Sequence, residues 1–266
     1  MQNKEHLDDE AFIHLPNGAK LSWGLAKQPT RGPKGELSIS KIVDAAIAIA
    51  DREGLAAVSM NRVASSLGFT TMSLYRYISS KDDLLFLMQD AICAVPIPPE
   101  RPGADWRESM REYVRVCAQV FCDHPWFGDI PVSGIPIAPN NLQIVDWVFG
   151  SMRDFQLNDF EKMSVLLLLS SYSRSVGIIR RDFQRAIQAG ANPNSINGLN
   201  YSAALKKLVK PDRYPNLYPF VISGVYTGEK EDENPVGDDF DFGLERILDG
   251  IEHYLSAKLS GKPDAE

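Results

Sequence analysis

No apolar run in this sequence approaches the roughly 18 residues that a membrane-crossing helix requires. The longest candidate, at residues 165–169, is bracketed by Ser164, Ser170 and Ser171. Residues 1–10 are acidic and polar, whereas a secretory signal begins basic and continues apolar. We therefore expect a cytoplasmic protein with no membrane partner.

Cysteine and histidine are also scarce, and neither is spaced as metal ligands usually are. An odd number of cysteines, with no redox spacing, favours reduced thiols buried in the core. We therefore expect no metal and no cofactor. The residues concerned are Cys93, Cys117 and Cys122, and His6, His14, His124 and His253.

The short motifs of common enzyme classes are absent: Gly-x-Ser-x-Gly, Gly-x-Gly-x-x-Gly, the phosphate-binding P-loop and His-Glu-x-x-His. Ser38-x-x-Lys41 has the spacing of one catalytic pair. It lies at the start of a predicted helix, however, where a serine serves as the cap. We therefore expect that the protein is not an enzyme.

The composition that remains is that of an ordinary globular protein. The 266 residues are 44% hydrophobic and 24% charged, enough to bury a core without disulfides. The net charge of −7 by itself argues against a nucleic-acid partner. However, residues 31–94 contain seven basic and seven acidic residues, so the whole excess of negative charge lies outside this stretch. A locally positive face within this stretch is therefore compatible with the composition.

Apolar residues recur at three- and four-residue spacing along most of the chain, which predicts an all-α fold. We predict a flexible N-terminal arm (1–30), then a three-helix domain with a fourth connecting helix (31–94). After a proline-rich break, a larger helical domain follows (95–266). Residues 215–223 could also form a strand, but Gly224 suits a helix end. Helices in the larger domain are expected at 106–122, 141–155, 159–188, 201–210, 215–223 and 240–259.

Residues 60–77 carry the most informative pattern. A helix-turn-helix needs a small residue where its helices cross and a glycine in its turn, and Ala64 and Gly68 supply them. The outward side of the second helix then carries hydroxyls, an aromatic ring and a guanidinium. Such groups reach phosphates and base edges in a DNA major groove. A helical hairpin without DNA binding has the same spacing, so the pattern alone leaves that alternative open.

Four segments say more than this spacing: Ile42-Val43-Asp44-Ala45-Ala46, Glu53-Gly54-Leu55, Met72-Ser73-Leu74-Tyr75-Arg76-Tyr77 and Ser80-Lys81-Asp82-Asp83-Leu84-Leu85. They closely resemble the DNA-binding domain of the tetracycline-repressor (TetR) family. His124-Pro125-Trp126 and residues 242–251 more loosely resemble the ligand-binding domain of the tetracycline-repressor subgroup.

The resemblance implies a homodimeric repressor that binds a palindromic operator with its third helices and is released by a small-molecule effector. An activator of the same fold, or a helical ligand-binding or interaction protein without DNA binding, remains an alternative. Met72 and Tyr77 could each pack instead of contacting DNA, and the segment that contains Arg31 and Lys34 could be a plain linker. The DNA contacts implied are Arg31, Lys34, Lys41, Ser59, Asn61, Thr70, Thr71, Met72, Ser73, Tyr75, Arg76, Tyr77 and Lys81.

In the second domain, the helices that enclose the family's effector pocket carry Tyr113, Cys117, Trp147 and Tyr172, which core packing explains equally well. Arg174 is expected to form an ion pair across a subunit interface, or to meet a ligand charge. The resemblance also assigns residues 159–188 and 240–259 to the pair of helices that builds the dimer interface.

Overall fold

A computed structural model of the chain describes residues 12–26, 37–99, 105–132, 134–196, 198–230 and 235–260. These residues form twelve α-helices and no β-strand, which confirms the all-α prediction. None of the described helices is long and apolar enough to cross a membrane. The helices are α1 Asn17–Ser22, α2 Ile39–Glu53, α3 Met60–Ser66, α4 Thr71–Tyr75, α5 Lys81–Ile92, α6 Trp106–Asp123, α7 Pro139–Ser151, α8 Asp159–Gln188, α9 Pro193–Ile196, α10 Ser202–Leu208, α11 Tyr218–Ser223 and α12 Asp239–Leu259.

Hydroxyl side chains start each of the helices α2 to α5. The four caps are Ser38, Ser59, Thr70 and Ser80, and each accepts a hydrogen bond from a backbone N–H in the first turn of its helix. Such a cap stabilises a helix by about 1 kcal/mol relative to alanine. The short helices α3 and α4 depend on these caps, because a helix of five to seven residues is not stable alone.

The turn between α3 and α4 has the geometry predicted from its glycine. Gly68 has φ +75°, a conformation that residues with a Cβ adopt at a cost. The Gly68 and Phe69 amides donate to the carbonyls of Ser65 and Ala64, at 3.2 and 2.9 Å, and so close the end of α3. Leu74 of α4 is fully buried, which fixes the rotation of this helix about its own axis.

Helix α1 differs from the flexible arm expected over residues 1–30. Its Gly18 and Ala19 are small enough to let α1 approach α5 closely: a Cβ on Gly18 would lie 2.8 Å from that of Phe86. Ala19 is fully buried, and the Asn17 amide donates to Asp83 at 3.2 Å. Six residues show too little periodicity to predict a helix, so packing on α5 decides their structure.

The packing of the chain divides it into two compact units, Met1–Gly177 and Ile178–Glu266, and the division falls within α8. In the first unit, α6 and α8 cross at Gly177, where an added Cβ would lie 2.8 Å from the Ala118 carbonyl oxygen. In the second unit, α11 ends at Gly224, which has φ +84°. The segment 215–223, for which the sequence allowed a strand or a helix, therefore contains a helix.

Helix α7 ends four residues earlier than predicted, at Ser151. Phe155 lies beyond its end and packs edge-on against Trp106, with ring centroids 5.3 Å apart. Phe155 is apolar and in register with α7, but it lies outside this helix and packs against a residue of α6 that is 49 positions earlier in the chain. Spacing alone does not distinguish the two cases.

We expect Gly177→Ala to destabilise the protein by about 2 kcal/mol, because the added methyl group meets backbone as well as Phe121. The higher helix propensity of alanine, about 1 kcal/mol, acts in the opposite direction and is too small to compensate. Urea unfolding followed by circular dichroism measures the change. Gly134→Ala is the control, because no described atom lies within 4 Å of its added Cβ; equal stability of the two variants would contradict the tight crossing.

Candidate nucleic-acid interface and ligand cleft

One side of α4 is exposed while the other is buried. Met72 is 73% exposed and Tyr75 43%, whereas Leu74 between them is fully buried. Arg76, at the end of the helix, is also exposed, and Tyr77 is half-buried. Met72 therefore does not pack in the core, and the face predicted to contact DNA is available to a partner.

Hydrogen bonds hold the start of α4 in place. The Thr71 hydroxyl donates to the Asn61 side-chain oxygen of α3 at 3.1 Å, which leaves the Asn61 amide N–H groups free to donate elsewhere. Thr70 caps α4 and its hydroxyl lies 2.9 Å from that of Ser73. Ser59 likewise caps α3. Five of the predicted contact residues thus also have a structural role: Ser59, Asn61, Thr70, Thr71 and Ser73.

The positive charge near α4 comes from two side chains. Arg76 and Lys81 make no side-chain hydrogen bond or ion pair with any residue in the described ranges, and both are exposed. Arg62 is different, because it is paired with Glu53. A hydrogen bond from Arg52, with the charge of Arg62 nearby, holds the pKa of Glu53 below its usual range. The Glu53 carboxylate is therefore shared by two guanidinium groups, so Arg62 already has a partner within the protein.

The remaining predicted DNA contacts are Lys41, Arg31 and Lys34. Lys41 is exposed in the first turn of α2. Arg31 and Lys34 lie outside the described residues. Their contribution to DNA binding stays a prediction.

Three of the four predicted ligand residues lie near one another. Tyr113 of α6 is buried, its ring meets that of Trp147 of α7 edge-on at 5.9 Å, and its hydroxyl lies 2.8 Å from that of Ser170. Burial raises the pKa of Tyr113, with a further contribution from Cys117 beside it. Burial also raises the pKa of Cys117 to about 12. The cluster is therefore neutral.

Tyr172 is not placed with this cluster. It follows Ser170 by two residues, which turns its side chain roughly 200° around α8. Arg174 was expected to form an ion pair. Within the described residues its guanidinium donates to the carbonyl oxygens of Gly128 and Ile130, at 3.3 and 3.1 Å. Carbonyl groups satisfy a guanidinium without a second charge.

A cleft of about 1530 Å³ lies along α6 and α7. Of the four predicted ligand residues Trp147 alone is in its described lining, and Tyr113 packs against this indole without lining the cleft. The walls also include aromatic residues other than the four predicted ligand residues. These are Trp106, Phe149 and Phe155.

Two family models cover most of the chain. Residues 42–88 match the N-terminal model of the bacterial regulatory proteins of the TetR family, and residues 98–255 match the tetracycline-repressor-like C-terminal domain. The chain belongs to the TetR family. It is a DNA-binding transcriptional regulator, as the exposed face of α4 indicates.

Named relatives agree with this assignment. The chain is 34% identical to the HTH-type transcriptional repressor DrrR1 of Streptomyces coeruleorubidus over 90% of its own length and 86% of the relative's. Its fold matches apo ActR of Streptomyces coelicolor with a TM-score of 0.68 and 25% identity, covering 85% of this chain and all of ActR. ActR in complex with actinorhodin matches with a TM-score of 0.66 and 27% identity, over 84% and 97% of the two chains.

In this TetR-family chain, α2 is joined to the turn that follows α6. The indole N–H of Trp126 donates to the Asp51 carboxylate at 2.6 Å, and His124 Nδ1 lies 2.9 Å from the same oxygen. Trp126 is fully buried, so its N–H requires this acceptor. The sequence analysis identified His124 and Trp126 only by resemblance and missed Asp51, which lies 73 residues before His124.

A second junction joins α5 to α7. The Asn140 backbone N–H, in the first turn of α7, donates to the Asp90 carboxylate at 2.9 Å. Burial raises the pKa of Asp90, although the hydrogen bonds from Asn140 act in the opposite direction. No residue of α7 itself caps this end through its side chain, so a residue of α5 supplies the missing acceptor.

We expect Cys93 and Cys117 to resist alkylation in the folded protein at pH 8. Burial raises the pKa of each thiol to about 12, so only on the order of one molecule in ten thousand carries the reactive thiolate. Iodoacetamide labelling followed by peptide mass mapping measures the extent. The urea-unfolded protein is the control and should be labelled at both sites; rapid labelling of either site in the native protein would contradict the buried arrangement.

Proposed function

We propose that this regulator is a homodimeric repressor that binds a palindromic operator and leaves it when a small molecule binds. The single observation that carries the DNA-binding assignment is the exposed face of α4, with Arg76 and Lys81 unpaired within the described part of the chain. Unpaired cations are what phosphate neutralisation requires. The repressor name of DrrR1 favours repression over activation. A bacterial family that acts on DNA is expected in the cytoplasm.

In this proposal residues 31–94 form the DNA-binding domain and residues 95–266 the effector-binding and dimerisation domain. Helix α4 enters the major groove, where Tyr75 and Arg76 face base edges and phosphates. Lys81, at the start of α5, contacts a phosphate. Thr71 and Asn61 then contribute positioning as well as contact, because they bond to each other.

The dimer proposal is supported by the first half of α8. Phe160 is 85% exposed and Leu167 68%, and Met163 and Leu168 beside them are also exposed. Phe160, Met163 and Leu167 lie on one side of the helix at spacings of three and four, and Leu168 adjoins this row. Large apolar groups in such a row favour burial against a partner. A second copy of α8 provides a matching surface under two-fold symmetry.

Release requires that the effector bind one conformation better than the other, since equal affinity shifts no equilibrium. The two α4 helices of a dimer fit successive major grooves only at a spacing of roughly 34 to 36 Å. The junctions at Asp51 and Asp90 join the helices that line the cleft to α2 and α5. The actinorhodin complex of ActR supports a small molecule as effector here.

The proposal is tested by incubating the protein with sheared genomic DNA and sequencing the fragments that it retains. We expect a palindrome with half-sites about one helical turn apart. On that sequence, Arg76→Ala combined with Lys81→Ala should reduce affinity by on the order of a hundredfold and lower the slope of affinity against salt. Fluorescence anisotropy at several salt concentrations measures both quantities.

Arg213→Ala is the matched control, because it removes an exposed arginine far along the chain from α4. It should leave the affinity and the salt slope unchanged. Equal loss in both variants, or no loss in the double variant, would refute docking through α4. Absence of any retained sequence would favour a protein that does not bind DNA.

We expect Leu167→Glu to convert the dimer into monomers, because it places two carboxylates in an apolar interface at a cost of several kcal/mol. Leu208→Glu is the matched control: Leu208 lies on α10 and is 70% exposed, close to the 68% of Leu167. Sedimentation velocity gives the oligomeric state of each variant. A dimeric Leu167→Glu protein would show that this row is not the interface.

A further inference from the structure

The cleft along α6 and α7 carries an excess of negative charge. Its described lining includes five carboxylates, from Asp105, Glu108, Glu112, Asp146 and Asp154. Among the described residues of this lining, two are cations, Arg153 and Lys162. The chemistry of the cleft therefore differs from that of a purely apolar pocket.

Two of these carboxylates have partners within α6. Asp105 accepts the Arg107 backbone N–H at 3.0 Å, and Glu108 accepts from Arg111 at 3.2 Å. Glu112, Asp146 and Asp154 make no hydrogen bond or ion pair with other residues of the described ranges. Three carboxylates in the cleft are therefore left without a positive partner from this part of the chain.

The acidic residues stand on two helix faces that both line the cleft. On α6 and its cap, Asp105, Glu108 and Glu112 recur at three- and four-residue spacing. On α7, Asp146 lies beside Trp147, with Gln143 one turn earlier and Gly150 one turn later. Residues at these spacings share one side of a helix. The cleft is thus bounded by carboxylates of both helices.

Aromatic rings form its apolar walls, and buried contacts fix them. Trp147 packs against Tyr113, whose hydroxyl is held by Ser170. Trp106 packs edge-on against Phe155 at 5.3 Å. Trp147 is therefore held in position for stacking without a ligand, whereas the Arg107 guanidinium already lies over one face of the Trp106 ring, 5.7 Å from its centroid. Aromatic faces next to unpaired carboxylates are the chemistry that binds organic cations, by cation–π attraction and charge pairing.

We propose that the effector of this regulator is a flat aromatic molecule that carries a positive charge. This inference rests on the proposed function, since it names the chemical class of the molecule that causes release. The volume of about 1530 Å³ accommodates several fused rings. Aromatic stacking on Trp147 and Trp106 provides apolar contact, and Glu112 and Asp146 neutralise the cation.

Two dyes with the same three-ring xanthene core and the same methyl ester test this class. Rhodamine 123 is a cation, whereas fluorescein methyl ester is an anion at pH 8. Fluorescence anisotropy is measured with the full-length protein and without DNA, because flat cations also bind DNA. We expect rhodamine 123 to bind at least about tenfold more tightly than fluorescein methyl ester, with a preference that falls as salt rises.

The combined change Glu112→Gln and Asp146→Asn should remove most of the preference, weakening rhodamine 123 roughly tenfold and fluorescein methyl ester little. Asp212→Asn is the control, because Asp212 is exposed and does not line the cleft. Equal binding of the dyes, preference for the anion, binding of neither, or an unaffected double variant would each overturn the proposal. Operator affinity, measured separately, is unaffected by these outcomes, so failure here is distinguishable from failure of the proposed function.

Discussion

A single carboxylate oxygen of Asp51 determines how α2 is joined to the body of the first unit. It accepts the N–H of the buried Trp126 at 2.6 Å and lies 2.9 Å from His124. A buried indole without an acceptor would cost roughly 1–3 kcal/mol, so the register of α2 against this turn is defined by chemistry as well as by shape. The direction in which α4 faces depends on this register, because α4 is packed on α3 and α3 on α2.

Helix α6 connects this junction with the ligand cleft. It is 18 residues long, or roughly 27 Å. The cleft lies along its first half, Tyr113 faces the core, and His124 ends the helix beside Asp51. Gly177 lets α8 cross it at close range near Ala118. A rigid helix with one end at the cleft and the other at Asp51 is suited to transmit a ligand-induced displacement to α2.

The face of α4 that is proposed to contact DNA is held rigidly and carries cations without partners in the described residues. The hydroxyls of Thr70 and Thr71 hold α4 in place, while the Arg76 and Lys81 side chains remain without partners among the described residues. Arg62, one helix away, shares the Glu53 carboxylate with Arg52, so these three groups together keep one positive charge. The net charge of −7 is thus compatible with a locally positive face.

The sequence by itself determined the all-α fold, the turn at Gly68 and the face of α4, since each follows from local spacing, a cap or a backbone conformation. Even α8 has the predicted bounds, Asp159–Gln188. Only the tertiary structure decided features that join distant residues. It docked α1 on α5, brought Asp51 to Trp126, and placed Trp147 in the cleft with Tyr113 packed against it. Periodicity shows which side of a helix is apolar, but the packing of other helices decides whether that side meets the core, a cleft or a partner.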